Sequence, residues 1–350
     1  MIRTDGAAKP YVWQALPEVA PAPAWNPTTP EKVALGERLF HDPALSSNRK
    51  ISCSSCHDVR KGAGEDHRSA SLGVGGQIGK RNAPTVWNAA FQSVLFWDGR
   101  AASLEEQAKG PPVNPGEMGM PSLSAVEQRV QSDASYREPF DKAFGTGRPI
   151  TITAIVAAIA AYERTLITPD APYDRFVRGD EKALSVSQLR GMELFQSVGC
   201  ILCHSGPNFS GASVFAPPQS GQRLFPVYAS PKYMTRYKLD KDVGANVPGS
   251  KQAIWRIPSL RNVALTAPYF HNGSVDNLPE AVRIMATVQR GKRVSNDLNG
   301  SRNVVWSKQD RTISRIESAP LSDRDVDDIV AFLKSLSSQS LTSRGRSGVP

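Results

Sequence analysis

Cysteine and histidine are scarce in this chain: 350 residues contain four cysteines and five histidines. So few thiols exclude a small scaffold held together by disulfides. No apolar run reaches membrane-spanning length, so a helix crossing a bilayer is not expected. Basic residues outnumber acidic ones, 42 against 33, yet no dense Lys/Arg run is present. Nucleic-acid binding therefore finds no support, and the basic surface reads as a solvated one that steers an anionic partner. Met1–Gly6 lack the apolar core of a signal peptide. What is present describes a soluble globular chain of two domains, 40% hydrophobic and 21% charged. Gly and Pro, 27 of each, point to many loops.

All four cysteines fall in one pattern used twice: Cys53-Ser54-Ser55-Cys56-His57 and Cys200-Ile201-Leu202-Cys203-His204. Two thiols two residues apart, followed at once by histidine, form the attachment signature of c-type haem. Both thiols bond to vinyl groups on one porphyrin edge, and the adjacent imidazole reaches the iron from below. Structural zinc seldom carries histidine directly after the second cysteine in both halves. A thioredoxin-like pair would need a βαβ pattern, which is missing. Two covalently attached c-type haems are expected. Covalent attachment implies export, so a leader removed before Met1 and a periplasmic location are expected too.

Residues 1–29, rich in Pro and Ala, read as an extended arm over the surface. Pro30 opens a helix through Leu35 and Leu39. Residues 151–166 place Ile152, Ile155, Val156, Ile159 and Tyr162 on one helix face. Residues 168–184 read as a linker. Ser185 and Gln188 cap a helix towards Cys200, and Ser322 and Asp325 cap another through Leu336. The Ser-rich tail 338–350 is expected to be disordered. The resulting plan is all-α, with tandem cytochrome c-like domains at 30–167 and 185–337.

The halves repeat. Gly36-x-x-Leu39-Phe40 precedes the first cysteine pair and Gly191-x-x-Leu194-Phe195 the second. Pro84-Thr85-Val86-Trp87-Asn88 matches Pro258-Ser259-Leu260-Arg261-Asn262. Gly99 lies eleven positions past Asn88, and Gly273 eleven past Asn262; at nine positions the residues are Trp97 and His271. Twelve past Gly273 comes Met285, whereas twelve past Gly99 comes Pro111. Proline cannot bind iron. The second haem thus has a candidate sixth ligand in Met285, giving a filled, high-potential iron suited to electron transfer. Methionine also commonly packs cores. The first iron, with His57 alone, keeps a face for substrate.

These residues, with Arg81-Asn82-Ala83-Pro84-Thr85, Phe96-Trp97-Asp98-Gly99-Arg100, Asn114-Pro115-Gly116-Glu117-Met118 and Ala267-Pro268-Tyr269-Phe270-His271-Asn272-Gly273, resemble the bacterial dihaem cytochrome c peroxidases and the related methylamine-utilisation dihaem enzyme. The resemblance runs from about Leu35 to Leu336. It implies reduction of hydrogen peroxide with electrons from a small donor protein, a cytochrome c or a cupredoxin, and a homodimer. By it, Cys53, Cys56 and His57 hold the peroxide-binding haem, while Cys200, Cys203, His204 and Met285 hold the electron-entry haem. Glu117 matches the acid/base residue, Gln107 the glutamine beside it and Trp97 the tryptophan between the haems. Asn82 and the carbonyls of Thr266 and Pro268 match a calcium site, and hard oxygen donors suit Ca²⁺. His271 is expected to pack near the second haem and His41 to be structural.

One position departs from the family. Many members carry a histidine on the Gly-rich loop that blocks the peroxide iron until the other haem is reduced. Val74 stands there instead, and valine has no lone pair. His67, seven residues earlier, reads as an exposed loop residue, with occupation of the iron as the alternative. Two rival functions are an oxidase acting on a protein side chain, where tyrosine would replace Met285, and a non-catalytic dihaem electron carrier, which would leave Glu117 without a task.

Overall fold

The repeated Gly-x-x-Leu-Phe element marks where each half closes its core. In this computed structural model, which describes residues 11–216, 224–226, 231–245, 253–290 and 321–346, Gly36 lies on α1 (Pro30–His41) and faces α7 (Ile152–Glu163). A Cβ on Gly36 would stand 1.9 Å from the Ala158 carbonyl oxygen. Gly191 on α9 (Val186–Ser197) does the same against α12 (Asp323–Ser335), where a Cβ would be 1.8 Å from the Asp328 carbonyl oxygen. Contact this close requires glycine, and it seats Leu39 and Phe40, or Phe195 and Phe332, in the two cores. Ala at either position should cost about 1–3 kcal/mol through overpacking. Unchanged thermal melting of Gly36→Ala or Gly191→Ala would contradict this.

Helix ends follow local chemistry. Thr29 and Thr151 cap α1 and α7, and the Ser185/Gln188 and Ser322/Asp325 capping boxes form as the sequence suggests. The other helices are α2 (Cys53–Cys56), α3 (Leu104–Ala108), α4 (Gly110–Val113), α5 (Leu123–Gln131), α6 (Arg137–Phe144), α8 (Pro172–Val177), α10 (Pro231–Tyr237), α11 (Leu278–Arg290) and α13 (Gln339–Arg346). The strand content among the described residues is one short antiparallel pair, β1 (Leu224–Pro226) with β2 (Ile254–Arg256), Leu224 facing Arg256. One core is built on α1 and α7, the other on α9, α11 and α12. The fold is mostly helical.

Three connecting segments differ from the sequence expectation. The arm is anchored to the body by buried side chains. Leu16 is buried, its N–H donating to Asp174 Oδ1 at 2.8 Å, and Asn26 is buried against Glu105 and the Ala157 carbonyl. Residues 1–10 of the arm lie outside the described residues. The linker at 168–184 carries α8, with Tyr173 and Asp174 fully buried, and Asp174 pairs with the equally buried Arg261 at 2.7 Å. Thr168 is buried too, and its Oγ1 accepts from Asn88 at 2.7 Å and from Asn262 at 3.0 Å, so the two repeat asparagines meet on one hydroxyl. The tail from 338 is not disordered: it forms α13, and Leu341 packs into the N-terminal core. Residues 347–350 lie outside the description, as does 291–320 of the second domain.

Candidate functional site

Both Cys-x-x-Cys-His stretches line a single cavity of about 1830 Å³ that runs through the two halves. Ligand clefts for one drug-sized molecule reach roughly 1,000 Å³, so this space suits more than one large group. Each histidine ends a tight turn that follows its cysteines. His57 Nδ1 lies 3.2 Å from the Gly64 carbonyl oxygen, and His204 Nδ1 lies 3.1 Å from that of Phe209. A carbonyl only accepts, so Nδ1 carries the proton and Nε2 keeps its lone pair in both rings. Burial lowers the pKa of His57, and that of His204 to about 4, so each imidazole is neutral, the state that binds iron.

Burial pushes the Cys53 thiol up to about 12 and raises Cys56 as well. No set of three or more His, Cys, Asp or Glu among the described residues comes close enough to hold a metal ion. Two separated thiol pairs, each with a neutral imidazole in a common apolar-walled cavity, fit two thioether-bound haems.

The two ends of the cavity differ. On the N-terminal side, Glu117 follows a turn in which its N–H donates to the Asn114 carbonyl at 3.0 Å, and Asn114 Nδ2 donates to Glu117 Oε1 at 2.8 Å. Burial raises the Glu117 pKa, while Arg100 and Asn114 pull it down by smaller amounts. Gln107, on α3, lines the same space, as does Pro111. On the C-terminal side, Met285 of α11 is exposed, 37% accessible, while Ile284 and Ala286 beside it are buried. Its exposure is towards the cavity, which it lines.

Trp97 stands at the junction of the halves. Its Nε1 donates to the Asn82 carbonyl at 2.9 Å, and its own carbonyl accepts the Arg256 N–H at 2.8 Å. Asn82 is buried, its Nδ2 donates to the Arg68 carbonyl at 2.7 Å, and it lines the cavity along with Thr266 and Pro268. His271 stacks on Trp255, centroids 4.0 Å apart, with burial lowering its pKa to about 4. His41 lies edge-on to Phe40 and Tyr162.

The Gly-rich loop rests directly on the Glu117 turn. Val74 N–H donates to the Glu117 carbonyl at 2.8 Å, and its side chain is buried against Gly119. His67 sits away from the cavity wall, its Nδ1 3.1 Å from the Ala267 carbonyl oxygen and 2.9 Å from Glu65 Oε1, with the side chain 57% exposed.

A family model described as di-haem cytochrome c peroxidase matches residues 30–182. The cytochrome c551 peroxidase of Pseudomonas aeruginosa is 39% identical over 329 residues, covering 93% of this chain and 84% of that protein. This chain belongs to the di-haem cytochrome c peroxidase family. The cytochrome c peroxidase Ccp of Escherichia coli is 40% identical over 321 residues, 91% of this chain, but the match spans only 60% of that longer protein. Among solved structures, a MauG-like protein associated with microbial copper homeostasis superposes with a TM-score of 0.72 at 30% identity, covering 94% of this chain and 97% of that one.

Sequence reading within this di-haem peroxidase missed three features. Arg81 bridges Asp98 at 2.7 Å and Asp242 at 2.6 Å across the junction, and lies over the Trp255 ring. The Trp255–His271 stack had no sequence signal, since the partners are sixteen residues apart in a loop-rich region. Glu163 is a buried acid on the cavity wall. Its signal was available: a lone carboxylate continuing the apolar face of 152–166.

Proposed function

We propose that this chain is a peroxidase reducing hydrogen peroxide to water, with electrons delivered by a small cytochrome c or cupredoxin to the C-terminal half. The observation that carries this reading is the asymmetry of the shared cavity: Glu117, Gln107 and Pro111 at the Cys53/Cys56/His57 end against Met285 at the Cys200/Cys203/His204 end. Bound haems would supply peroxide reduction at the first site, where Cys53, Cys56 and His57 would hold the group, and electron transfer at the second, where Cys200, Cys203, His204 and Met285 would hold it. His57, with Nδ1 committed to Gly64, presents Nε2 as the proximal ligand, and His204 does the same through Phe209. Met285 offers its thioether as sixth ligand.

Glu117 takes a proton from the near oxygen of peroxide and returns it to the departing oxygen, as base and then acid. Asn114 holds its carboxylate in place, and burial keeps its pKa above the ordinary range so that the proton can be returned. Gln107 orients the peroxide from α3. Trp97, clamped between Asn82 and Arg256, shortens the electron path between the halves. Asn82 Oδ1 with the carbonyls of Thr266 and Pro268 forms an oxygen-rich calcium site at the junction. The attached haems imply an exported, periplasmic enzyme, and net charge +9 favours an anionic donor.

The experiment is a haem count on denatured protein together with peroxide consumption by the donor-reduced enzyme. Two haems should resist extraction by acid acetone, and Cys200→Ser should weaken one attachment. Extractable haem, bound zinc, or two haems without peroxide consumption would each overturn the reading.

Val74 adds a prediction about the resting enzyme. The loop supplies no side-chain ligand, and His67 is engaged by Glu65 and Ala267. The fully oxidised protein should therefore carry a high-spin first haem that binds peroxide before the second haem is reduced. Electron paramagnetic resonance tests this: a low-spin bis-histidine signal abolished by His67→Ala would show that His67 occupies the iron.

A further inference from the structure

Glu163 is a buried titratable group on the cavity wall to which the peroxidase reading assigns no task. It ends α7, is 4% exposed, lines the cavity beside Cys53, and its Oε2 has no hydrogen-bond partner among the described residues. The nearest cation, Arg164, is committed elsewhere: it pairs with Glu105 of α3 at 2.7 Å, and Glu105 also accepts from Asn26. Glu163 is thus an unpaired carboxyl in a low-dielectric wall, which disfavours its charged form.

The lysine and arginine side chains of α1 and α5, which pack against α7, have partners of their own. Lys32 of α1 donates to Asn26, and His41 of α1 packs against Phe40 and Tyr162. Arg129 of α5 donates to the Ala44 and Ser46 carbonyls. From α2, Glu163 faces the Cys53 thiol. Burial, opposed weakly by Arg164 and reinforced by Glu105, raises the Glu163 pKa to about 8.

We propose that Glu163 is the proton-holding residue of the first haem compartment, taking up a proton as that haem gains an electron and releasing it as the haem loses one. This rests on the reading of Cys53, Cys56 and His57 as the first haem's attachment. The balance is one electron and one proton. The electron comes from the donor protein by way of the second haem and goes to the first iron. The proton comes from solvent and forms the O–H bond on a Glu163 carboxylate oxygen. Oxidation reverses both. The physical cause is Coulombic: an oxidised haem carries one more positive charge, which favours the carboxylate, and in a buried setting that interaction is weakly screened. Glu163 then keeps the compartment's net charge constant through the redox change.

The test is the midpoint potential of the first haem against pH, with reduced-minus-oxidised infrared spectra of the same holoprotein. The wild-type potential should fall as pH rises through the region near 8, by up to about 59 mV for each tenfold fall in proton concentration, the one-electron value. A protonated-carboxyl C=O band should appear on reduction, and Glu163→Gln should remove both the band and that part of the slope. A slope unchanged in Glu163→Gln, or one removed by Glu117→Gln instead, overturns the proposal. If the Gln variant fails to fold, the wild-type spectra still decide, because absence of a carboxyl band on reduction overturns it equally. A haem count of two in each protein separates this failure from failure of the attachment reading.

Discussion

Glu117→Gln lowers peroxide turnover by roughly 10²–10⁴-fold, the usual cost of losing a positioned acid/base group. The amide keeps the size of the side chain and its contact with Asn114, so peroxide and cyanide should still enter the cavity. What is lost is the ability to take a proton and give it back. The pH profile provides an independent reading. Glu117 must be ionised to act as base, so activity rises with pH as the carboxyl loses its proton. Burial raises that pKa, which moves the acid limb of kcat/KM above the range of an ordinary exposed glutamate. In Glu117→Gln that limb should vanish. Near-normal turnover in the variant, or an unchanged acid limb, would mean that the proton chemistry lies elsewhere.

Met285→Ala lowers the potential of the second haem by on the order of a few tenths of a volt, part of the roughly 0.8 V range that axial ligands command. Thioether sulfur favours the reduced iron, and alanine cannot replace it. The substitution removes little core packing, because Met285 is 37% exposed while Ile284 and Ala286 beside it are buried in the core. Electron delivery should slow, and the first haem's spectrum should stay as it was. Potentiometric titration of the two haems checks this. An unchanged second potential and spectrum would make Met285 a packing residue and return attention to His271, whose Nε2 is buried without a partner.

Much of the site was legible because its chemistry is local. The Cys-x-x-Cys-His order is itself the attachment geometry, so two pentapeptides are enough to propose both haem sites. Repeat spacing did the rest for Met285 and Pro111, since equal offsets from Gly273 and Gly99 bring both to the wall of one cavity. The Gly-x-x-Leu-Phe pairs were visible as a repeat but not as a cause. Only the 1.9 Å and 1.8 Å approaches of a built Cβ to a facing carbonyl explain why glycine is there.

The arm, linker and tail were misread for a common reason. Proline, serine and short polar runs lower intrinsic helix and strand preference, and that preference is all that a local reading can weigh. Leu16, Tyr173 and Leu341 are ordered by apolar partners far away in sequence. Asn26 and Asp174 are ordered by polar ones, Glu105 and Arg261.

The sequence alone determined the number of haems expected, the helical class, the tandem repeat and which residues are proposed as ligands, because each depends on neighbours a few positions apart. The tertiary structure alone decided that both cysteine pairs share one cavity, that Asn88 and Asn262 meet on Thr168, and that Arg81 bridges the halves. It also decided that Glu163, ordinary as a letter in a helix, is a carboxyl without a counter-charge. Charge state depends on what surrounds a group in three dimensions, and for Glu163 one such neighbour, Glu105, lies fifty-eight residues away and pairs with Arg164.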